Sequence, residues 1–369
     1  MLINLKKNVA VKYILELVFI VILYAMLDNV GGIKKYAFVL FFCVAFMIFG
    51  VRKRWHVEAL FCVALPVFTY VLLGSFSALL GTTSQITTVK VILYTLVPLL
   101  FSFSTYMYYG EKMQHIVDVH FCGSILAYAI FDAPYFAKIF QWESIYAFVF
   151  GLFVIYYAYR KKWLFSVISV CFVYFAEKRI AILAVCFTLL LMGIVWLFEK
   201  NKKLVYAFWG IITCAVFGYI FLIHSGIMEA FCWGANINTN GRVEMYSRMA
   251  EEAKFSLGYF GRGLGIVEQL LEYYNVSTYV NLHNDLLKFY IELGFIGLLV
   301  YLLSYGVVYG CVNRYFGKSK MCFFFAVSAY TMMLFATDNA SIYMIYLIPM
   351  YTTMFAVLSS ERQIKIEKG

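Results

Sequence analysis

Apolar runs long enough to cross a lipid bilayer recur along almost the whole chain, and they constrain the fold more than any other feature. A membrane-spanning helix needs about 20 predominantly apolar residues. Hydrophobic residues make up 64% of the 369-residue chain, and charged residues make up only 14%. Soluble domains have roughly 25% charged residues, so this composition indicates an integral membrane protein.

We predict an all-α polytopic membrane protein in which residues 1–369 form a single transmembrane domain of about twelve helices. One large extracytoplasmic loop, residues 224–284, connects the ninth helix to the tenth. The predicted helices cover residues 12–27, 36–51, 57–80, 89–109, 115–131, 143–159, 163–176, 180–198, 204–223, 285–312, 320–336 and 342–358. A turn divides the apolar stretch 163–198 at Glu177–Arg179, because three adjacent charges at mid-bilayer would cost several kcal/mol.

The distribution of lysine and arginine predicts the orientation, because cytoplasmic loops carry an excess of both. With a cytoplasmic N-terminus, most basic residues fall in cytoplasmic segments, near residues 6–12, 52–54, 112, 160–162, 200–203, 314–320 and 362–368. We therefore expect both termini to be cytoplasmic and the 224–284 loop to face outward. The formal net charge of +10 follows from this topology and does not indicate a nucleic-acid partner.

The sequence gives no sign of a disulfide framework or of a metal site. Of the nine cysteines, only Cys232 lies outside the predicted spans. A single extramembrane cysteine cannot form an intramolecular disulfide or a C-x-x-C metal site. The motifs D-x-D, G-x-S-x-G and H-E-x-x-H are absent. We therefore expect any catalysis to proceed without a metal ion or another cofactor.

The 224–284 loop has the composition of a folded segment. Long structureless loops are uncommon and are usually functional or disordered. Its aromatic residues are sufficient for the loop to fold and dock: Trp233, Tyr246, Phe255, Tyr259, Phe260, Tyr273, Tyr274 and Tyr279. We therefore expect this loop to carry the function of the protein.

Arg242 stands at the start of a predicted helix that runs to about Lys254, with Asn238 to Asn240 as N-cap candidates. The N-terminus of a helix offers free N–H groups and a positive dipole to a phosphate. The Arg242 guanidinium adds a planar donor that can bind phosphate in a bidentate manner. Tyr246 lies four residues later, on the same helix face. A solvated loop arginine is the alternative interpretation.

Two other arginines are candidates for phosphate binding. Arg262 lies in the sequence GRGLG, Gly261 to Gly265, which predicts a tight turn with phosphate contact as the less favoured role. This sequence does not follow a strand of a βαβ unit, so it does not indicate a dinucleotide site. Arg179 follows the predicted outer turn and therefore lies on the same side as the loop. Its alternatives are snorkelling to the interface and pairing with Glu177.

His283 is the chemically versatile residue at the end of the loop. It stands beside Asn284 and Asp285, where the chain re-enters the membrane. A lone histidine is usually structural, but an imidazole also acts as a base or a hydrogen-bond donor near neutral pH. Glu292 follows within the predicted tenth helix, where a carboxylate needs a basic partner. Gly294 and Gly297 are expected to give this helix a close-packing face.

These motifs, in this order, resemble those of the bacterial O-antigen polymerase and O-antigen ligase superfamily. The resemblance spans residues of about 170 to 310. It is carried by Arg179 in EKRIAILA, Arg242 in NGRVEMY, then GRGLG, and finally His283 in HNDLLKFYIELGFIG. Members of the superfamily are inverting glycosyltransferases that use undecaprenyl-diphosphate-linked glycans as donors.

The resemblance implies roles for the candidate residues. Arg179 and Arg242 would hold the donor diphosphate, and His283 would activate or orient the acceptor hydroxyl. Polyprenyl diphosphate is already a good leaving group, so charge neutralisation and a base are sufficient for the transfer. The candidate substrate-binding residues around this centre are Asn284, Asp285, Tyr246, Arg262 and Glu292. Asp285 and Glu292 are alternatives to His283 for activating the hydroxyl.

The function we expect is that of a polysaccharide polymerase in O-antigen, capsule or exopolysaccharide synthesis. It would join lipid-linked repeat units at the outer face of the bacterial cytoplasmic (inner) membrane. The flippase and the chain-length regulator of the same pathway would be its protein partners. One alternative is an O-antigen ligase, which transfers the same donor to lipid A–core. Another is a lipid-linked glycan flippase, but few charges lie inside predicted spans, among them Glu16 and Asp118.

Overall fold

The computed structural model describes residues 2–29, 33–50, 57–81, 83–134, 143–237, 239, 241–274 and 282–359, and regular structure in these ranges is helical throughout. The helices are α1 Leu2–Asn29, α2 Ile33–Gly50, α3 Val57–Leu80, α4 Gln85–Tyr109, α5 Met113–Ala127, α6 Tyr146–Tyr159, α7 Trp163–Phe175, α8 Arg179–Leu197, α9 Lys202–His224, α10 Ile227–Gly234, α11 Arg242–Glu251, α12 Ile266–Tyr273, α13 Asp285–Phe316, α14 Lys318–Phe335 and α15 Met344–Ser359. Gly110–Lys112 and Ala340–Ile342 form short 3₁₀ turns, and Tyr128–Asp132 forms a π turn.

Each predicted apolar segment overlaps one of these helices. Five stretches of the described chain are long and apolar enough to cross a membrane: Val57–Leu79, Gln85–Asp132, Arg179–Leu197, Lys202–His224 and Asp285–Phe316. Helices α6, α7 and α15 are apolar but shorter. These features are those of an all-α membrane protein, and the number of membrane crossings stays a prediction. The turn predicted between the seventh and eighth helices is confirmed, because α7 ends at Phe175 and α8 begins at Arg179.

The chain forms two compact units, each assembled from separated stretches of sequence. The first contains residues 1–60, 97–190 and 343–369. Its core includes α6, in which every residue from Tyr146 to Ala158 is buried. A helix that is apolar on all sides needs neighbours on all sides. Helices α5, α7 and α15 pack against it.

The second unit contains residues 61–96 and 191–342, and it includes the 224–284 segment. Helices α13 and α14 supply much of its buried surface. The Trp209 indole N–H donates to the Leu302 carbonyl over 2.9 Å and ties α9 to α13. The Tyr219 hydroxyl donates to the Ala336 carbonyl over 2.6 Å and ties α9 to the turn after α14.

The helix predicted at Arg242 begins at that residue but ends at Glu251, three residues earlier than expected. Its N-cap is Gly241, with φ +75°, rather than a residue from Asn238 to Asn240. Asn238 and Asn240 lie outside the described residues. Glycine suits this position because the left-handed conformation carries no Cβ penalty. Helices α10 and α12 in the same segment were not predicted.

The GRGLG segment lies alongside α3 and α13 rather than beyond their ends. Backbone polar groups that lie outside regular helices and are shielded from water need hydrogen-bond partners. Both neighbouring helices and the turn after α3 provide such partners. The N–H groups of Arg262 and Gly263 donate to the carbonyls of Ile291 and Glu292 in α13, each over 3.0 Å. The Leu264 N–H donates to the Gly74 carbonyl in α3 over 3.2 Å. In the other direction, the Ser77 hydroxyl donates to the Phe260 carbonyl over 3.0 Å, and the Thr83 hydroxyl donates to the Arg262 carbonyl over 2.7 Å. The predicted tight turn is confirmed, and it serves to join three elements of this unit.

Gly294 interrupts α13, so the prediction of one uninterrupted helix is wrong at this residue, whereas the close packing expected at Gly294 is confirmed. Its φ is +75° and its ψ is −178°. The backbone from Tyr259 to Gly261 approaches so closely that a Cβ atom at Gly294 would lie 2.2 Å from the Tyr259 carbonyl oxygen. The break also exposes the Phe295 N–H, which donates to that carbonyl over 2.9 Å.

Candidate functional site

His283 lies immediately before α13 and is held in place by its backbone on both sides. Its N–H donates to the Asn339 side-chain oxygen over 2.8 Å. Its carbonyl accepts from the Tyr246 hydroxyl over 2.7 Å. The residue has φ +55°, an uncommon conformation for a side chain other than glycine. Because the backbone is anchored at both polar groups, the position of the His283 Cα and the direction of its Cα–Cβ bond are fixed.

The His283 ring lies beside a buried carboxylate. Its Nδ1 is 3.6 Å from Asp338 Oδ1, and the side chains are 26% and 1% exposed, respectively. This separation is slightly too long for a hydrogen bond, and His283 Nδ1 is buried without another partner. Such contacts in an unliganded enzyme often tighten once substrate is bound. The arrangement therefore suits an imidazole that gains a proton during a reaction.

Arg242 and Tyr246 belong to the same site. Tyr246 is buried one turn after Arg242 on α11 and carries the hydroxyl that reaches His283. Burial raises the pKa of Tyr246 well above its ordinary value, with smaller effects from nearby charged groups that include Arg242 and Asp338. The phenol thus stays protonated and acts as a donor. It links the arginine of α11 to the histidine of the α13 N-terminus.

Asn284 and Asp285 are fully buried and hold the start of α13. The Asn284 side-chain oxygen caps α13 by accepting from the Leu287 N–H over 3.0 Å, and its amide donates to the Tyr219 hydroxyl over 2.9 Å. Asp285 accepts from the N–H and the hydroxyl of Ser341, over 2.7 and 2.6 Å. Both side chains therefore position His283, and a role in substrate binding stays a prediction for them.

Glu292 is fully buried in α13 and has polar partners on both carboxylate oxygens. The Tyr70 hydroxyl donates to one oxygen, and the Gly265 N–H donates to the other over 2.9 Å. The basic partner expected for it is Lys288, whose charge acts on Glu292 and whose ammonium pairs with Glu268 over 2.5 Å. Glu292 thus fastens the GRGLG segment to α13, and its proposed contact with substrate stays a prediction.

Arg262 pairs with Glu252 instead of standing free in its turn. The Tyr274 hydroxyl donates to the other oxygen of the same carboxylate. This hydrogen bond and the Arg262 ion pair lower the pKa of Glu252 from its ordinary value. A phosphate bound by Arg262 would have to compete with this carboxylate. Its binding role stays a prediction.

Arg179 is an exposed residue at the start of α8 and belongs to the first unit. The other candidate residues, His283, Arg242 and their neighbours, belong to the second unit. The diphosphate-binding role of Arg179 therefore stays a prediction.

Sequence reasoning missed Asp338 and Asn339, which lie in the turn between α14 and α15. Both are buried, and both contact His283. The sequence did contain a signal for these residues: the polar stretch TDNAS separates two apolar segments on the side predicted to face outward. Polar residues in a short outer turn would ordinarily be solvated. Only the fold brings this turn to the end of the 224–284 segment.

The site offers two kinds of chemistry close together. A partly exposed imidazole beside a buried carboxylate can accept a proton from a hydroxyl group. An arginine at the first turn of α11 can neutralise a phosphate with its guanidinium. A proton acceptor and an anion-binding group are what a transfer from a phosphorylated donor to a hydroxyl requires.

A scan against protein-family models matches residues 164–302 to the O-antigen ligase family. The matched region includes Arg179, Arg242 and His283, and it ends before Asp338. Searches of curated proteins and of solved structures found no match. The resemblance recognised from the sequence motifs is confirmed: residues 164–302 are similar to the O-antigen ligase family, which is consistent with the O-antigen polymerase and ligase superfamily.

Proposed function

We propose that the protein is a polysaccharide polymerase, an inverting and metal-independent glycosyltransferase of the bacterial cytoplasmic membrane. It transfers a growing glycan from undecaprenyl diphosphate to a hydroxyl of another lipid-linked repeat unit. The transfer takes place at the outer face of the cytoplasmic membrane. Two contacts of His283 carry the proposal: its ring nitrogen lies 3.6 Å from Asp338, and its carbonyl accepts from the Tyr246 hydroxyl. Tyr246 in turn lies one helical turn after Arg242 on α11.

The proposed reaction assigns one role to each group. His283 Nδ1 faces Asp338, so Nε2 accepts the proton of the acceptor hydroxyl. The hydroxyl oxygen attacks the anomeric carbon from the side opposite the diphosphate, and the bond to the diphosphate oxygen breaks. Arg242 and Arg179 stabilise the negative charge that the leaving diphosphate gains. Asp338 stabilises the imidazolium that forms.

An O-antigen ligase is the second candidate, and the description of the matching family favours it. The donor and the site are the same in both reactions, and only the acceptor differs. Deletion of the gene distinguishes them on a polysaccharide gel. We expect single repeat units on the cell surface, the pattern of a missing polymerase. Long lipid-linked chains that fail to reach the surface would instead identify a ligase.

We predict that Arg242→Ala and Arg179→Ala each abolish polymerisation while protein levels hold. Each change removes charge-assisted hydrogen bonds to diphosphate worth about 1.5–3 kcal/mol. Lysine should restore activity only in part, because it keeps the charge but not the bidentate geometry. The measurement is glycan chain length on a gel, beside immunoblots of membranes.

Arg248→Ala is a matched control for Arg242, since Arg248 lies on the exposed side of the same helix. It should leave the glycan pattern unchanged. An equal loss of polymerisation in Arg248→Ala would show that α11 needs positive charge in general. Full activity of both lysine variants would show that charge alone is sufficient.

We predict that Asp338→Asn lowers the rate of transfer without preventing folding. The amide preserves the shape of the side chain but removes the charge that stabilises the imidazolium. Losing an interaction with a charged group costs about 1.5–3 kcal/mol, on the order of tenfold to a hundredfold in rate. The measurement is the initial rate with purified, reconstituted protein. A wild-type rate would remove Asp338 from the mechanism.

We predict that the 224–284 segment is reached from outside the cytoplasmic membrane. Asn236 is exposed and suits a labelling test. In a background that lacks Cys232, Asn236→Cys should react with an impermeant thiol reagent in intact cells whose outer envelope has been made permeable. Labelling only after lysis would reverse the orientation and the proposed side of the reaction. The second site for this test, Ser277, lies outside the described residues.

A further inference from the structure

Helix α10 turns its apolar side chains outward. Ile227, Phe231 and Trp233 are 51%, 65% and 67% exposed. Its one charged residue, Glu229, faces the neighbouring helix, where it accepts from the Ser247 hydroxyl over 2.6 Å. A surface helix of a soluble segment has the opposite arrangement, with its apolar stripe facing the core. The outward face of α10 therefore favours an apolar environment.

Helix α11, in the same segment, has the ordinary arrangement. Its exposed positions include Arg248 and Glu251, and its buried positions include Val243 and Met249. The two helices contact each other. The reversal thus distinguishes α10 from its neighbour α11.

Helix α9, which directly precedes α10 and contacts it, also exposes apolar side chains. Of the five candidate spans in the described chain, α9 has the smallest buried share, 22% of its most apolar window, and it exposes Ile211, Phe221 and Leu222. In a membrane-spanning helix this surface faces lipid. Only Ser225 and Gly226 separate α9 from α10. Helix α10 therefore starts where the lipid-facing helix ends.

We propose that α10 is an interfacial helix whose outward face is embedded in the headgroup region of the leaflet where α9 ends. Helices of this kind bury their apolar face about 5–10 Å into the boundary between headgroups and acyl chains. Tryptophan is enriched at that depth because its ring is apolar and its N–H is polar. The partner is the lipid surface itself, and the proposal does not depend on the reaction that the protein catalyses.

Fluorescence of Trp233 in lipid nanodiscs tests the proposal. The difference between the emission of the wild-type protein and that of Trp233→Phe isolates this residue. We expect a blue-shifted component that loses most of its intensity in nanodiscs made with lipids brominated in the upper acyl chain. The same component should respond weakly to iodide in the buffer. The difference between wild type and Trp209→Phe is the control, because Trp209 is buried and should respond little to either quencher.

Strong quenching by iodide with no response to brominated lipid would overturn the proposal, since Trp233 would then face water. A component that neither quencher reaches, in nanodiscs holding one copy of the chain, would also overturn it. That result would mean that protein covers this face. Both outcomes leave the proposed transferase activity untouched.

Discussion

Replacing His283 by alanine is expected to leave a folded, membrane-inserted protein with almost no transferase activity. A positioned general base contributes about 10²–10⁴ in rate. The backbone contacts of His283 with Asn339 and Tyr246 do not involve the imidazole, so alanine keeps both. The measurement is the rate of glycan elongation by purified protein, with protein levels and thermal stability recorded for each variant.

His283→Asn separates catalysis from structure at this position. Asparagine tolerates the left-handed conformation that His283 adopts and still forms hydrogen bonds, but it cannot accept the proton. We expect it to be as inactive as His283→Ala. Wild-type chain length and rate would exclude His283 as the base and leave Asp285, Glu292 or a purely electrostatic site. His224→Gln is the control, since the His224 ring packs against Phe255 and Tyr290 in the same unit.

Replacing Gly294 by valine is expected to abolish folding of the second unit. The Gly294 backbone occupies a region that is essentially restricted to glycine, and another residue there costs on the order of 1–3 kcal/mol from backbone strain alone. The added Cβ would also lie 2.2 Å from the Tyr259 carbonyl oxygen, so the hydrogen bond between Tyr259 and Phe295 could not form. Detergent-solubilised protein should aggregate on size-exclusion chromatography, or melt at a much lower temperature than wild type.

Gly218→Ala is the matched control for Gly294. Gly218 lies within α9, and a Cβ atom there would meet nothing within 4 Å. This variant should elute and melt like wild type. A monodisperse and thermally stable Gly294→Val protein would show that α13 can close its break and that the contact with Tyr259 is dispensable.

Local signals in the sequence were sufficient for the helical framework and for several of its boundaries. Apolar runs predict helices because buried or lipid-facing backbone must form its hydrogen bonds internally. The charges at Glu177–Arg179 correctly marked the turn between α7 and α8. The polar run before Arg242 correctly marked the start of α11. The N-cap was assigned wrongly because backbone conformation, rather than a side-chain hydrogen bond, selected Gly241.

Contacts between distant parts of the chain decided what the local pattern could not. The sequence by itself determined which residues are chemically capable, His283 and Arg242 among them, because residue type and a nearby helix start are local properties. The tertiary structure decided their partners. Asp338 lies beside His283, and Tyr259 packs against the interruption of α13 at Gly294. The two residues of each pair are far apart in the sequence, and only the folded chain brings them together. Such pairings depend on how the elements pack against one another, and the periodicity of a single segment carries no information about that packing.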